Sequence, residues 1–337
     1  AGKPTHSEAV RQRTGELDRR IAALRALLSP CRLCPHACGV DRPAGDVGLC
    51  RIGFGAHVSA STAHFGEEPE VSGTRGSGTL FFASCNLRCL YCQNAAISQG
   101  ADVPDLPFHT AAQIGDFMLA RAAQGCHNVN WVTPSHVVPF AVEGLAYAAA
   151  RGLDLPLVYN TSGFDSVETL RLLDGVVDVY LADLRYADAA TAGELSGAPN
   201  YPDAARAAVL EMARQVGARN EHDPCGNLRR GLILRLLVLP NDLADLRETL
   251  AFVRDCLGTG VRIALMSQYF PTHQATSHDL LSRPIHFGEY ARAIDQAERM
   301  GFDNLLVQEL AASDFYRPDF DAGPEPFADA AHFRKDA

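Results

Sequence analysis

TLFFASCNLRCLYCQN (79–94) sets a short apolar run directly in front of three cysteines. TLFFAS (79–84) is rich in β-branched and aromatic residues and reads as a strand. Cys85, Cys89 and Cys92 follow with spacing C-x3-C-x2-C. Three thiols are one too few for a closed tetrahedral zinc site and one too many for a single disulfide. Active sites of parallel α/β folds gather at the C-terminal ends of strands, so a cysteine loop at that point is placed for chemistry. A cubic iron–sulfur cluster takes four ligands, and three cysteines would leave one iron open. On spacing alone, a partial zinc site and a redox cysteine pair stay open beside it.

Outward from this stretch the rhythm repeats. NVNWVT (128–133), PLVYN (156–160), VVDVYLAD (176–183), LILRLLVL (232–239) and VRIALM (261–266) are further strand candidates, and NLLVQ (304–308) adds one more. Amphipathic stretches separate most of them: AAQIGDFMLARAAQ capped by Thr110, VETLRLLD, DAARAAVLEMARQVG and LADLRETLAFVRDCL. Strands alternating with helices predict βαβ units and a parallel sheet. The expected fold is α/β, an open or partial (βα)6 TIM-like barrel over residues 79–310. Residues 1–78 are expected to form an N-terminal helix (Leu17, Ile21, Leu24 and Leu28 on one face) and a small cysteine-rich module. HVSASTAHFG is a possible strand before the barrel. A Pro/Asp-rich tail covers 311–337.

The 337 residues carry a formal net charge of -10, which argues against a nucleic-acid or anionic-membrane surface. No apolar run approaches the roughly 18 residues of a membrane span, and the first thirty residues lack the apolar core of a secretory signal. The expected location is cytoplasmic. Ten cysteines in such a chain suggest metal rather than a disulfide frame. Cys126, Cys225 and Cys256 stand apart and read as incidental thiols.

The other four lie in CRLCPHACGVDRPAGDVGLC (31–50), spaced C-x2-C-x3-C-x11-C. Cys31, Cys34, Cys38 and Cys50 in one Gly/Pro-rich loop make a closed site plausible. Zinc, a rubredoxin-like iron and an auxiliary [4Fe–4S] cluster all suit four thiolates. His36 is an alternative ligand.

With Tyr91 immediately before the last cysteine, the motif resembles that of the radical SAM superfamily: CxxxC, one residue, an aromatic, then C. CRLCPHACGVDRPAGDVGLC, HFGEEPEVSGTRGSGTLFFASCNLRCLYCQN, VTPSHVVPF, VYNTSGF, LLDGVVDVYLADLRY, RLLVLPN and LMSQYFP narrow the resemblance to the pyruvate formate-lyase activating enzyme-like family. Typical activases lack the four-cysteine module. The resemblance implies a [4Fe–4S] cluster on Cys85, Cys89 and Cys92, with S-adenosylmethionine (SAM) on the open iron. It implies reductive cleavage to a 5′-deoxyadenosyl radical, hydrogen abstraction from substrate, and an external electron donor of flavodoxin or ferredoxin type.

It also implies a SAM-holding set: Tyr91 and Asn94 in the cysteine loop, Thr133, Ser135 and His136 where activases carry GGE-P, Asn160, Thr161 and Ser162 after the third strand, and Asp183 in Asp183-Leu184-Arg185. His136 can equally cap or pack against the next helix, and Asp183 can be a helix N-cap. Arg235, a charge in an apolar run, is expected to face the lumen and meet the SAM carboxylate or a substrate acid. Gln268 and Tyr269 would line the substrate side. The functions left open are activation of a glycyl-radical enzyme, direct action on a small molecule or peptide (epimerisation, rearrangement or C–C bond formation), and a non-catalytic iron–sulfur electron carrier.

Overall fold

The computed structural model describes residues 6–310, 318–320 and 326–327, with side chains from 15 onward. Most of the expected tail lies outside the described residues. In chain order the elements are α1 (His6–Ala26), β1 (Val58–His64), α2 (Pro69–Ser72), β2 (Ser77–Phe82), α3 (Ala95–Gln99), α4 (Ala111–Ala123), β3 (Val129–Val132), α5 (Val138–Ala149), β4 (Leu157–Thr161), α6 (Val167–Leu172), β5 (Val179–Asp183), α7 (Ala189–Ser196), α8 (Tyr201–Val216), β6 (Glu221–His222), β7 (Leu228–Leu237), α9 (Leu246–Leu257), β8 (Arg262–Met266), α10 (Phe287–Arg299) and β9 (Leu305–Val307).

The sheet order is β1-β2-β3-β4-β5-β7-β8-β9, with β6 paired to β7. From β2 to β9 every neighbour along this path is parallel. The central parallel strands β2 and β5 are buried along nearly their whole length, as strands covered by helices on the outside are. β1 alternates buried and half-buried positions, as an antiparallel edge strand does. It lies within the stretch read from sequence as the N-terminal module, yet its backbone bonds belong to this sheet.

Laid flat at about 4.8 Å per strand, the outer two of eight strands would stand roughly 34 Å apart. His64 of β1 and Leu306 and Val307 of β9 instead line one cavity. The sheet therefore curls into a partial barrel. Because β1 runs opposite to β2, residues 65–76 cross beneath the barrel at the N-terminal ends of the strands. Asn128 Nδ2 donates to the Val71 carbonyl (2.8 Å) and Arg262 pairs with Glu70 (2.9 Å), fixing that floor.

α5 lacks an amphipathic period because α1 and α4 cover it on two sides; ten of its twelve residues are buried. α4 and α5 touch at Gly115 and Gly144, where a Cβ on Gly115 would lie 2.8 Å from the Gly144 carbonyl oxygen. Thr110 caps α4 in a capping box with Gln113. Among the described residues no helix is long and apolar enough to cross a membrane.

Candidate active site

The triad loop leaves β2 through Ser84, whose φ is +69°; Thr133 at the end of β3 has φ +55°. A β-branched residue at positive φ is costly, and such strain persists where packing over-determines it. Here the Thr133 amide donates to the Asn160 carbonyl (2.8 Å), and the Ser84 amide to Ile97 (2.8 Å). Both residues sit where a strand turns into the site.

Cys85, Cys89 and Cys92 border a void of about 70 Å³. Below it lies a lumen cavity of about 610 Å³. The two share Phe81, Asn94, Val132, Thr133, Ser162 and Arg185 as wall residues. Within that shared strip, Ser162 Oγ and Arg185 Nε are buried and find no hydrogen-bond partner among the described residues. Orphaned buried donors of this kind fit a polar ligand.

Burial pushes the Cys85 thiol up to about 12, with Cys89 and Cys92 adding to it. Any ion held there must displace protons from the thiols. Among the described residues no three His, Cys, Asp or Glu side chains stand in metal-holding geometry. The donor chemistry nevertheless suits a thiophilic cluster: three sulfurs, one loop, one small void.

The loop is stitched to the end of α7 by Arg88 N–H to the Ser196 carbonyl (3.0 Å) and Leu90 N–H to the Leu195 carbonyl (2.9 Å). Tyr91 is buried behind it, edge-on to Tyr269 and hydrogen-bonded to Tyr186. Tyr269 thus supports Tyr91 rather than lining the cavity, whereas Gln268 is on the wall.

The structure separates the residues expected to hold a cofactor. Asn94, Thr133, Asn160, Thr161, Ser162, Asp183 and Arg235 line the large cavity. Ser135 lies behind Thr161, 3.4 Å between hydroxyls, and is buried. His136 is also behind the wall. Its Nε2 donates to the Ala83 carbonyl (2.8 Å), steadying the strand end that feeds the triad. Its ring does not cap α5, whose N-cap is Val137. Asp183 is not a helix cap either, since Asp188 caps α7; Asp183 accepts from Arg185 Nη2 at 2.6 Å. Gly163 has φ +78°, and a Cβ there would meet the Asp183 carbonyl at 2.2 Å, so this turn needs glycine. Asp165 anchors it, accepting from Tyr159 Oη (2.8 Å) and from Thr161 Oγ1.

Burial lowers the His136 imidazole to about 3, the Ala83 hydrogen bond opposing this and Arg42 adding to it. The unfolded chain, near 6.5, binds the proton first as pH falls. This histidine is therefore neutral at no cost above about pH 6.5, and stability is lost as pH drops from there toward about 3, by about 1.4 kcal/mol per unit. Urea melts at pH 7 and pH 5 should show His136→Gln losing about 2 kcal/mol less than the wild type over that interval. Equal losses would refute this.

Arg235 does face the lumen, but it is already paired. Its Nε and Nη2 grip Glu68 (2.7 and 2.6 Å), Nη2 also meets Glu67, and Nη1 donates to Asn160 Oδ1 (3.1 Å). Asn130 Nδ2 donates to Glu67 at 2.9 Å. Burial opposes the Arg235 charge, yet Glu68 and Glu67 together hold it well above its usual range. Glu67 and Glu68 rise from the barrel floor and are not among the residues expected from sequence. Two adjacent acids before Pro69 at a strand end were the available signal.

The four-cysteine loop lies against the triad loop. His36 Nε2 bonds the Asn86 carbonyl (2.7 Å), Arg88 Nη2 the Leu49 carbonyl (2.8 Å), and Ser84 Oγ the Cys50 carbonyl. Burial pushes the Cys34 thiol up to about 12, and Cys50, Cys31 and Cys38 each raise it further. Cys126 is buried; Cys225 and Cys256 are exposed.

No model of a known protein family matches the chain. An uncharacterized protein of Methanocaldococcus jannaschii is 28% identical over 291 residues, covering 85% of this chain and 80% of its own. Among solved structures, a radical SAM methyltransferase from Sphaerobacter thermophilus matches with TM-score 0.42, 12% identity, 68% of this chain and 66% of its own covered. Streptococcus suis SuiB gives 0.45 and 12%, covering 68% of this chain and 49% of its own. HydG, a maturase of the [FeFe]-hydrogenase, gives 0.47 and 12%, covering 89% of this chain and 66% of its own. The chain spans about half to two-thirds of the length of these solved structures.

Proposed function

We propose that this chain is a radical SAM enzyme. One observation carries the reading. Three thiols of a single loop border a void that shares its wall with a 610 Å³ lumen cavity, across a strip holding the orphaned Ser162 Oγ and Arg185 Nε. In this reading Cys85, Cys89 and Cys92 hold a [4Fe–4S] cluster. The cluster with SAM supplies reductive C–S cleavage and a 5′-deoxyadenosyl radical. The protein's own residues bind, orient and shield. Ser162 and Arg185 offer donors to an anionic ligand group, and Thr133 and Asn94 close the strip. Phe81, Val132 and Met266 add apolar wall beside these polar groups. An external donor of flavodoxin or ferredoxin type would supply the electron. The test is spectroscopic: adding SAM to the reduced, reconstituted protein should change the cluster's electron paramagnetic resonance signal. A spectrum untouched by saturating SAM would sink the reading.

Activation of a glycyl-radical enzyme is one form of this function, and a glycyl doublet on a partner protein would mark it. Direct action on a small molecule or peptide is favoured by the floor of the cavity. Glu67, Glu68, Arg235 and Asn160 form a polar floor, which suits a substrate with polar groups of its own. We also propose that Cys31, Cys34, Cys38 and Cys50 bind one zinc or iron centre that fastens the loop beside the triad. Elemental analysis of Cys85→Ala/Cys89→Ala/Cys92→Ala protein should still find metal; a metal-free preparation would refute this second site.

A further inference from the structure

The three triad sulfurs are not equally dressed. Cys85 Sγ accepts a backbone N–H from Leu87 at 3.4 Å. Cys92 Sγ lies 3.3 Å from Ser98 Oγ. Cys89 Sγ, the most buried, accepts from both Ser196 Oγ at 3.0 Å and Arg185 Nη1 at 3.4 Å. It is the one triad sulfur with a charged donor among these contacts. Arg88, the other nearby guanidinium, spends its donors on the Ser98 and Leu49 carbonyls.

The Ser196 hydroxyl is itself ordered. It bonds Tyr186 Oη at 2.7 Å, which in turn bonds Tyr91 Oη. A ligating sulfur can only accept, so Ser196 must donate to Cys89 and accept from Tyr186, and Tyr186 must accept from Tyr91. The chain of donors runs Tyr91 to Tyr186 to Ser196 to Cys89, each hydroxyl polarising the next. The phenol of the motif's own tyrosine thereby acts on the motif's central cysteine. Arg185 is oriented the same way. Asp183 holds Nη2 on one side at 2.6 Å, so the cation is fixed with Nη1 toward sulfur, its charge partly offset by the carboxylate.

From this asymmetry we infer that Arg185 and Ser196 are positioning residues that raise the reduction potential of the cluster through Cys89. The inference rests on the radical SAM reading above. Reduction adds one negative charge to a buried cluster. Hydrogen-bond donors and a cation at a ligating sulfur stabilise that charge, which is a recognised lever on iron–sulfur potentials. Arg185 also stands in the wall common to both cavities. A substrate or SAM acid drawn to its free Nε would share the guanidinium with Cys89, so ligand binding and cluster potential become coupled.

The experiment is potentiometry followed by electron paramagnetic resonance on reconstituted full-length protein without SAM. Ser196→Ala should move the midpoint to more negative potential, and Ser196→Thr, which keeps the hydroxyl, should stay near wild type. Arg185→Met should move it further in the same direction, and Arg185→Lys less. Midpoints of Ser196→Ala and Ser196→Thr that coincide with wild type, or that move upward together, overturn the inference. If Arg185→Met does not retain its cluster, the Ser196 pair decides. A wild-type protein that forms no [4Fe–4S] signal at all refutes the underlying reading instead, and the two failures are distinct.

Discussion

Arg235→Met should destabilise the fold by about 3–5 kcal/mol, because it leaves two carboxylates buried with no counter-charge. Side-chain exposure is 10% for Arg235, 7% for Glu67 and 5% for Glu68, so solvent offers little relief. Arg235→Lys should recover only part of the loss. An ammonium cannot bridge both oxygens of Glu68 and reach Asn160 at once. Adding Glu67→Gln and Glu68→Gln to Arg235→Met should restore much of the stability, since the uncompensated charges are then gone. Urea unfolding at pH 7 measures all three. A loss below about 1 kcal/mol for Arg235→Met would mean that water reaches the floor and the ion pairs are screened.

The second large effect concerns the cysteines. Cys89→Ala should remove the triad-bound iron and with it all 5′-deoxyadenosine formation, while Cys225→Ala, at an exposed thiol, should change neither. The contrast separates a ligand from a thiol that merely oxidises. Cys31→Ala should lower metal content at the N-terminal loop and loosen the triad loop, because Cys50, Leu49 and His36 are bonded to it. Iron analysis and chromatography of the reaction products read all of these. Retained iron stoichiometry in Cys89→Ala would contradict the ligand assignment.

Much of this architecture is legible in the sequence, for a physical reason. Parallel strands buried on both faces must be continuous apolar runs, and TLFFAS, LILRLLVL and VRIALM are such runs. The cysteine spacing is equally plain. What is not legible depends on partners far along the chain. HVSASTAHFG was a possible strand, but nothing local says that it pairs antiparallel at the sheet edge and sends 65–76 under the barrel. Arg235 was conspicuous as a charge among leucines. Its partners Glu67 and Glu68, more than 160 residues earlier, were not. Ser196 ends a helix with no motif around it, and only the stitching of Arg88 and Leu90 to α7 brings its hydroxyl to Cys89. His136 reads in sequence as a polar residue of a site loop. The fold turns it inward, where it serves Ala83.

The central claim is that Cys85, Cys89 and Cys92 hold a cluster that cleaves SAM beside a substrate cavity. The most direct measurement is product analysis after anaerobic reconstitution with iron and sulfide, then addition of SAM and dithionite. The expected result is 5′-deoxyadenosine and methionine in equal amounts, dependent on the reductant. Fully iron-loaded protein that yields neither product would contradict it.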